Sequence, residues 1–277
     1  MADDTNDAGE PLILLDTPRP HTTVITMNCP ERMNSMAFKL MVPLAEALEQ
    51  VDLDNDTHCV ILTGAGRGFC SGADTSDDGG HPPNMDGLTL TRIATHALTY
   101  LSELVPRMRN MRKPVIAAIN GAAIGGGMCL TLGADVRIAG ESAYFRAAGI
   151  NNGLTANELG LSFLLPRAIG SSRAFEFMLS GRDIDAHEAA DIGLVSRTVP
   201  DDRLLDEALD LADQINGWST QGIALTKRMM WSGLETNSLQ AAIDMETHTQ
   251  LYVRLTTDNF QEAVRARREN RPPDFKD

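Results

Sequence analysis

KPVIAAINGAAIGGGMCLTLGAD, residues 113–135, decides how the rest of the chain is read. Pro114 sets the register of a short apolar run, Val115 to Ile119, that reads as a buried strand. Asn120 and Gly121 turn the chain, and Gly125, Gly126 and Gly127 then precede an apolar segment of helical character, residues 128–132. Glycines at a helix start let backbone approach a ligand closely. They also leave N–H groups free at the positive end of the helix dipole. Such a site takes negative oxygen, standing or developing during a reaction. Tight helix–strand packing is the competing reading.

A nucleotide-phosphate loop does not fit. The G-x-G-x-x-G fingerprint is absent from the central stretch, and Gly64-Ala65-Gly66-Arg67-Gly68 fails it because Phe69 stands where the third glycine belongs. No G-x-x-x-x-G-K-[ST] occurs.

Working outward, 277 residues with 43% hydrophobic content suffice for one large domain or a domain with an appendage. A net charge of -14 argues for a soluble chain and against one built to neutralise phosphate backbones, so no nucleic-acid partner is expected. Basic residues cluster only locally, as at Arg265, Arg267, Arg268 and Arg271. No run is long enough to span a bilayer, and MADDTNDAGE does not read as a signal peptide, so no membrane partner is expected. Cys29, Cys59, Cys70 and Cys129 lack C-x-x-C spacing and sit among apolar residues, which reads as reduced thiols in a cytoplasmic protein. The six histidines are scattered without H-E-x-x-H, so no metal site is expected.

Taken in order, residues 1–10 read as disordered. Strands follow at 12–15 and 22–27, and a helix over 37–53 carries Leu40, Met41, Leu44, Leu48 and Val51 at helical spacing. Residues 59–63 read as a buried strand and 75–87 as a mobile surface loop. A long helix over 88–112 has a break near Pro106. Beyond the central stretch come strands at 136–139 and from Tyr144, a helix within 155–169, helices at 171–180 and 186–192, and a strand at 194–199. Residues 204–268 are helical and the RPPDFKD tail is extended. Strand–loop–helix units with glycine turns, then a helical final third, define an α/β fold with a helical appendage. Spacing alone leaves open whether the sheet is doubly wound or coiled into a spiral.

Three stretches carry a resemblance. CVILTGAGRGFCSGAD, the central KPVIAAINGAAIGGG…GAD and LPRAIGSSRAFEFMLSGRDIDAHEAADIGLVSRTV together resemble the crotonase superfamily of enoyl-CoA hydratases and isomerases, over about residues 10–277. The resemblance implies a ββα spiral core over residues 11–203 with an acyl-CoA site. It also implies a helical trimerisation region over 204–277, in a homotrimer or a hexamer built as a dimer of trimers. The substrate is a coenzyme A thioester and no tightly bound cofactor is implied. Two backbone N–H groups polarise the thioester carbonyl; by position these are Ser71 in CSGAD and Gly126. CoA then lies along PERMNSM and the SGAD loop, with Arg32 as a phosphate contact and Ser35, Gly72, Ala73, Asp74 and Gly125 as neighbours. A solvated loop charge is the competing reading for Arg32, and a salt bridge or turn for Asp74. The lysine that family members offer a neighbouring subunit's CoA falls on Asn270, with Arg268 or Arg271 as substitutes.

The pattern breaks at the acid–base pair. Hydratases of this family hold water with two glutamates, and those positions are Cys129 and Gly149. Glycine carries no proton, and Cys129 followed by Leu130 reads as a core thiol. The segment INNGLTANELGL, residues 150–161, departs from the hydratase pattern, and Glu158 is its one carboxylate. Facing the pocket, Glu158 would serve as a single acid–base group, which suits isomerisation. Alternatively Thr155-x-x-Glu158 is a capping box at a helix start, without chemistry. Gly153 offers no nucleophile of the kind the superfamily's dehalogenases and hydrolases carry near this segment. Small residues Ala147, Ala148 and Gly149 leave room for a bulky acyl chain.

The leading expectation is therefore an acyl-CoA enzyme of hydratase type without both usual glutamates. An isomerase working through Glu158 and a catalytically weak acyl-CoA-binding oligomer are the alternatives.

Overall fold

The structure is a computed structural model and describes residues 5–74 and 82–276. Among these residues, two sheets share the chain strand by strand. Strands β1 (Ile13–Arg19), β2 (Thr22–Met27), β3 (Cys59–Gly64), β5 (Val115–Ile119), β7 (Val136–Gly140) and β10 (Arg197–Val199) form a six-stranded sheet in that order. Strands β4 (Gly68–Cys70), β6 (Ala122–Ile124), β8 (Tyr144–Arg146) and β9 (Ile184–Asp185) form a four-stranded one. From β2 to β10 the larger sheet is parallel, with β1 antiparallel at its edge.

The steps β3 to β4, β5 to β6 and β7 to β8 each cross from the larger sheet to the smaller through a short turn. Helix α4 (Gly126–Gly133) follows β6, and α5 (Leu161–Ile169) follows the loop after β8. This repeated ββα step is a spiral, as the resemblance implied, and it settles the choice that spacing left open. The turns stack on each other. Asn120 Nδ2 donates to the carbonyl oxygens of Gly64 (2.8 Å) and Gly66 (2.9 Å). A β-carbon on Gly121 would collide with the Arg67 carbonyl. An N-G pair is thus needed where one turn of the spiral lies on the next.

Helix α1 (Phe38–Leu53) buries Leu40, Met41, Leu44, Leu48 and Val51, the spacing read from sequence. The opposite face of the large sheet is covered by α8 (Leu204–Asn216), whose Leu204, Ala208, Leu209 and Ala212 pack on Val24, Ile61, Ile116 and Ile138. A parallel sheet covered on both faces needs apolar residues throughout, which is why β5 reads VIAAI with every residue buried.

Several sequence expectations are corrected. Residues 5–10, expected to be disordered, form a turn: Asn6 Oδ1 accepts from the N–H groups of Ala8 and Glu10, and its Nδ2 donates to the Asn28 carbonyl. Residues 1–4 of that call, and 75–81 of the expected loop at 75–87, lie outside the described residues. The helix expected over 88–112 is two, α2 (Leu90–Ser102) and α3 (Leu104–Asn110), divided at Glu103 rather than at Pro106. Pro106 lies in the first turn of α3, where its missing N–H has no intrahelical acceptor to lose. The strand expected over 194–199 shortens to β10, with Leu194 and Val195 buried in the preceding turn. Helices α6 (Ser171–Ser180) and α7 (Ala186–Asp191) lie where expected.

The final third contains α8, α9 (Thr220–Glu235), α10 (Leu239–Thr256) and α11 (Asn259–Glu269). One buried cation joins α9 to the core: Lys227 Nζ contacts Asp135 Oδ2 at 2.8 Å and the carbonyls of Met108 and Lys113 at 2.7 and 2.8 Å. Asp135 also accepts from Trp231 Nε1 and the Val115 N–H. By contrast α10 buries no residue, and Leu239, Tyr252 and Leu255 on it are exposed.

Candidate active site

Two loops meet at the start of α4. Gly125 has φ +55° and ψ -122°, a conformation for glycine only, with its N–H donated to the Arg146 carbonyl at 2.8 Å. Gly126 opens the helix, so its N–H has no intrahelical partner. The CSGAD loop packs directly on this turn. A β-carbon on Gly72 would lie 2.6 Å from the Ile124 carbonyl oxygen, and one on Gly127 would collide with the Cys70 carbonyl. On the other side of Gly126 stand Met36 and Leu159. The glycines therefore serve close backbone packing and an open donor at once; the two readings of the cluster do not exclude each other.

Glu158 faces this turn. Its Oε1 lies 3.1 Å from where a β-carbon on Gly125 would be, with Ala148 Cβ 3.8 Å from the same point. The capping-box reading of Thr155 and Glu158 is overturned: α5 begins at Leu161, its N-cap is Gly160, and Thr155 Oγ1 reaches only the Asn157 carbonyl at 3.4 Å. Two successive left-handed residues, Leu159 (φ +43°) and Gly160 (φ +90°), separate Glu158 from the helix and turn its side chain inward. Half-burial pushes the Glu158 carboxyl above its ordinary pKa.

Around it the thiols are neutral. Cys129 is fully buried, as a core cysteine should be, and burial raises its pKa well above the ordinary value, with the Glu158 charge adding to the shift. Burial takes Cys70 to about 12. Among the described residues no cluster of His, Cys, Asp and Glu could hold a metal ion.

A family model described as enoyl-CoA hydratase/isomerase matches residues 21–277. The chain belongs to the enoyl-CoA hydratase/isomerase family. It is 58% identical over 266 residues to a probable enoyl-CoA hydratase of Mycobacterium tuberculosis, covering 96% of this chain and 93% of that one. A crystal structure of a probable enoyl-CoA hydratase/isomerase from Mycobacterium abscessus is 54% identical, with a TM-score of 0.90 over 96% of this chain and 98% of that one. A structure titled a monofunctional enoyl-CoA isomerase from M. smegmatis is 53% identical, with a TM-score of 0.71 over 84% of this chain and 98% of that one.

Of the two positions where the resemblance places a hydratase glutamate, the first holds the buried thiol of Cys129. At the second, Gly149, no side chain of any kind fits. A β-carbon there would overlap the Thr155 carbonyl oxygen and come within 3.3 Å of Ala156 Cα. The loop is held in that position by the N–H groups of Asn152 and Leu154, which donate to the Gly149 carbonyl at 3.1 and 2.9 Å. The room expected beside Ala147 and Gly149 for a bulky acyl chain is thus filled at Gly149 by the chain's own backbone.

The expected donor Ser71 is also corrected. Its N–H donates to the Met33 carbonyl at 3.0 Å and is committed within the chain. Two residues on, the exposed Ala73 makes no backbone N–H hydrogen bond to a described residue. Arg32 Nη1 pairs with Asp74 Oδ2 at 3.1 Å, so the salt-bridge reading of Asp74 holds, and the pair ties PERMNSM to the SGAD loop. Ser35 is buried beneath this junction, its N–H on the Arg32 carbonyl at 3.2 Å. Arg271 is taken by Glu262 and Glu269 of its own chain, at 2.6 and 2.7 Å.

Sequence reasoning did not single out Asn34, although its side chain accepts from the Cys29 N–H and donates to the Ala65 and Gly68 carbonyls, fixing the PERMNSM turn on the glycine turn after β3. Its signal was an asparagine in a loop, where the left-handed conformation it adopts is tolerated.

Proposed function

We propose that the protein is an enoyl-CoA isomerase that moves a carbon–carbon double bond from the 3- to the 2-position of an acyl-CoA thioester. Glu158 carries the proton. Its carboxylate takes a proton from C2; the electron pair passes into the thioester carbonyl and forms an enolate. The same carboxyl returns the proton to C4 as the C3–C4 double bond moves to C2–C3. One group suffices because a single proton leaves one carbon and joins another, with no water consumed. The oxyanion is met by the N–H of Gly126 and, in place of Ser71, by that of Ala73. Such donors contribute about 3–4 kcal/mol each when aimed at a developing charge.

The observation that carries this reading is the position of Glu158 at Gly125 while Gly149 has no space for a second carboxylate. The relative from M. smegmatis, described as a monofunctional enoyl-CoA isomerase, is consistent with it. The test is formation of the conjugated enoyl thioester from a 3-enoyl-CoA, followed by absorbance in wild type and Glu158→Gln. Turnover in the wild type, lost in the variant, is expected. Hydration of a 2-enoyl-CoA at comparable rate would refute the reading.

The coenzyme A portion runs past Arg32, Ser35 and the Gly72–Asp74 loop in this reading, and no tightly bound cofactor takes part. The exposed apolar residues of α10 fit contact between copies, as a homotrimer or a dimer of trimers; light scattering on the purified protein measures this. Four free, buried cysteines fit a reducing, cytoplasmic setting. No described helix is long and apolar enough to cross a membrane.

A further inference from the structure

We propose that Cys129 is a positioning residue for Glu158, its thiol holding the main chain from which the carboxyl is turned toward Gly125. Cys129 lies on the first turn of α4, at the place where the family resemblance puts a glutamate. Its Sγ is 3.4 Å from the Glu158 carbonyl oxygen, within hydrogen-bond range for sulfur, and the thiol is the donor. Fully buried and with its ionisation suppressed by that burial, this sulfur stays an S–H and is no nucleophile.

The Glu158 carbonyl lies in irregular backbone, where the thiol is one of its two hydrogen-bond partners. Residues 153–160 make no helix or strand. The carbonyl's second partner is the Leu161 N–H at 2.7 Å, which opens α5. Beyond Glu158 the backbone enters the left-handed region at Leu159, a conformation that a leucine adopts only when its surroundings impose it. The surroundings here are the Leu159 side chain against Gly126 and the thiol on the preceding carbonyl. Cys129 and Gly126 are thus three residues apart on one helix turn, and together they hold both ends of the Glu158–Leu159 peptide. A glutamate at 129 would bring a second carboxylate to this carbonyl instead of a neutral donor.

The kinetic arm of the test rests on the isomerase reading; the titration arm does not. Cys129→Ala and Cys129→Ser are compared with wild type in turnover of a 3-enoyl-CoA and in affinity for a saturated acyl-CoA. In parallel, the Glu158 carboxyl is titrated by carbon-13 NMR on glutamate-labelled protein, the resonance assigned by its loss in Glu158→Gln. In Cys129→Ala, kcat falls about fivefold, the scale of one modest hydrogen bond, with acyl-CoA affinity unchanged. The Glu158 midpoint moves down toward the ordinary carboxylate value as the group swings into water. Cys129→Ser keeps a donor and restores both. An unchanged midpoint in Cys129→Ala, or equal loss in the alanine and serine variants, overturns the proposal. Should wild-type turnover prove independent of Glu158, the isomerase reading fails, and the NMR midpoints still decide whether Cys129 positions this carboxyl.

Discussion

Glu158 and Gly125 face each other across the first turn of α4, so that a single added β-carbon would press on the carboxylate oxygen at 3.1 Å. Gly125 holds this place with φ +55° and ψ -122°, which other residues avoid. Gly125→Ala is therefore expected to lower stability by about 1–3 kcal/mol through backbone strain. Turnover of a 3-enoyl-CoA should fall further than stability explains, by on the order of 10²-fold. Urea unfolding and steady-state kinetics on one preparation separate the two effects; an active Gly125→Ala would mean that the carboxyl works from elsewhere.

Activity should rise with pH as Glu158 ionises, because the base form abstracts the proton. Its midpoint lies above the ordinary carboxylate value, since burial disfavours the charge. Cys70 and Cys129 face it as neutral thiols across this range. The stability consequence has a definite sign. A raised folded pKa means that the folded state binds the proton more tightly than the unfolded one. The contribution is fully present below the unfolded value and is lost as pH rises through the folded one. Glu158→Gln should therefore be more stable than wild type at neutral pH and lose that advantage in acid, as denaturant midpoints at several pH values would report.

Restoring the family's glutamates should not restore hydration. Gly149→Ala alone is expected to cost about 2–4 kcal/mol, because its β-carbon and the Thr155 carbonyl cannot share one position. The double substitution Cys129→Glu, Gly149→Glu is expected to unfold at lower denaturant and to add no water to a 2-enoyl-CoA. Measurable hydratase activity in that variant would show that the loop after β8 yields more readily than its hydrogen bonds suggest.

Lys227→Met removes the cation that Asp135 faces and leaves a carboxylate among buried groups. Breaking a buried pair from one side costs about 3–5 kcal/mol. The loss should appear first as detachment of α9, since Lys227 also holds the Met108 and Lys113 carbonyls. Hydrogen exchange of α9 amides against those of β5 would detect it, and equal protection in the variant would contradict it.

The alternation of apolar runs with glycine turns made the spiral legible only through family resemblance. Periodicity shows that Val115 to Ile119 is a buried strand, but not that β6, three residues after it, belongs to another sheet. The glycine cluster was readable because backbone donors need only glycine and a helix start. Glu158 was readable as the one carboxylate of its segment, yet Thr155-x-x-Glu158 imitates a capping box; what decides is the left-handed pair Leu159 and Gly160, which delays α5. Ser71 misled because nothing in CSGAD reveals that Met33, far earlier in the chain, takes its N–H. Local pattern fixes where a turn occurs, and tertiary contacts fix which of its amides stay free.

The crowding of Gly149 by Thr155 also bears on what a single substitution can supply. A lost carboxylate whose space stays empty can return by one codon change. Here the neighbouring backbone fills the volume a side chain at 149 would need, and the N–H groups of Asn152 and Leu154 tie the loop to the Gly149 carbonyl. A codon change at 149 alone therefore supplies no carboxylate site: the main chain from Gly149 to Ala156 would have to be rearranged as well.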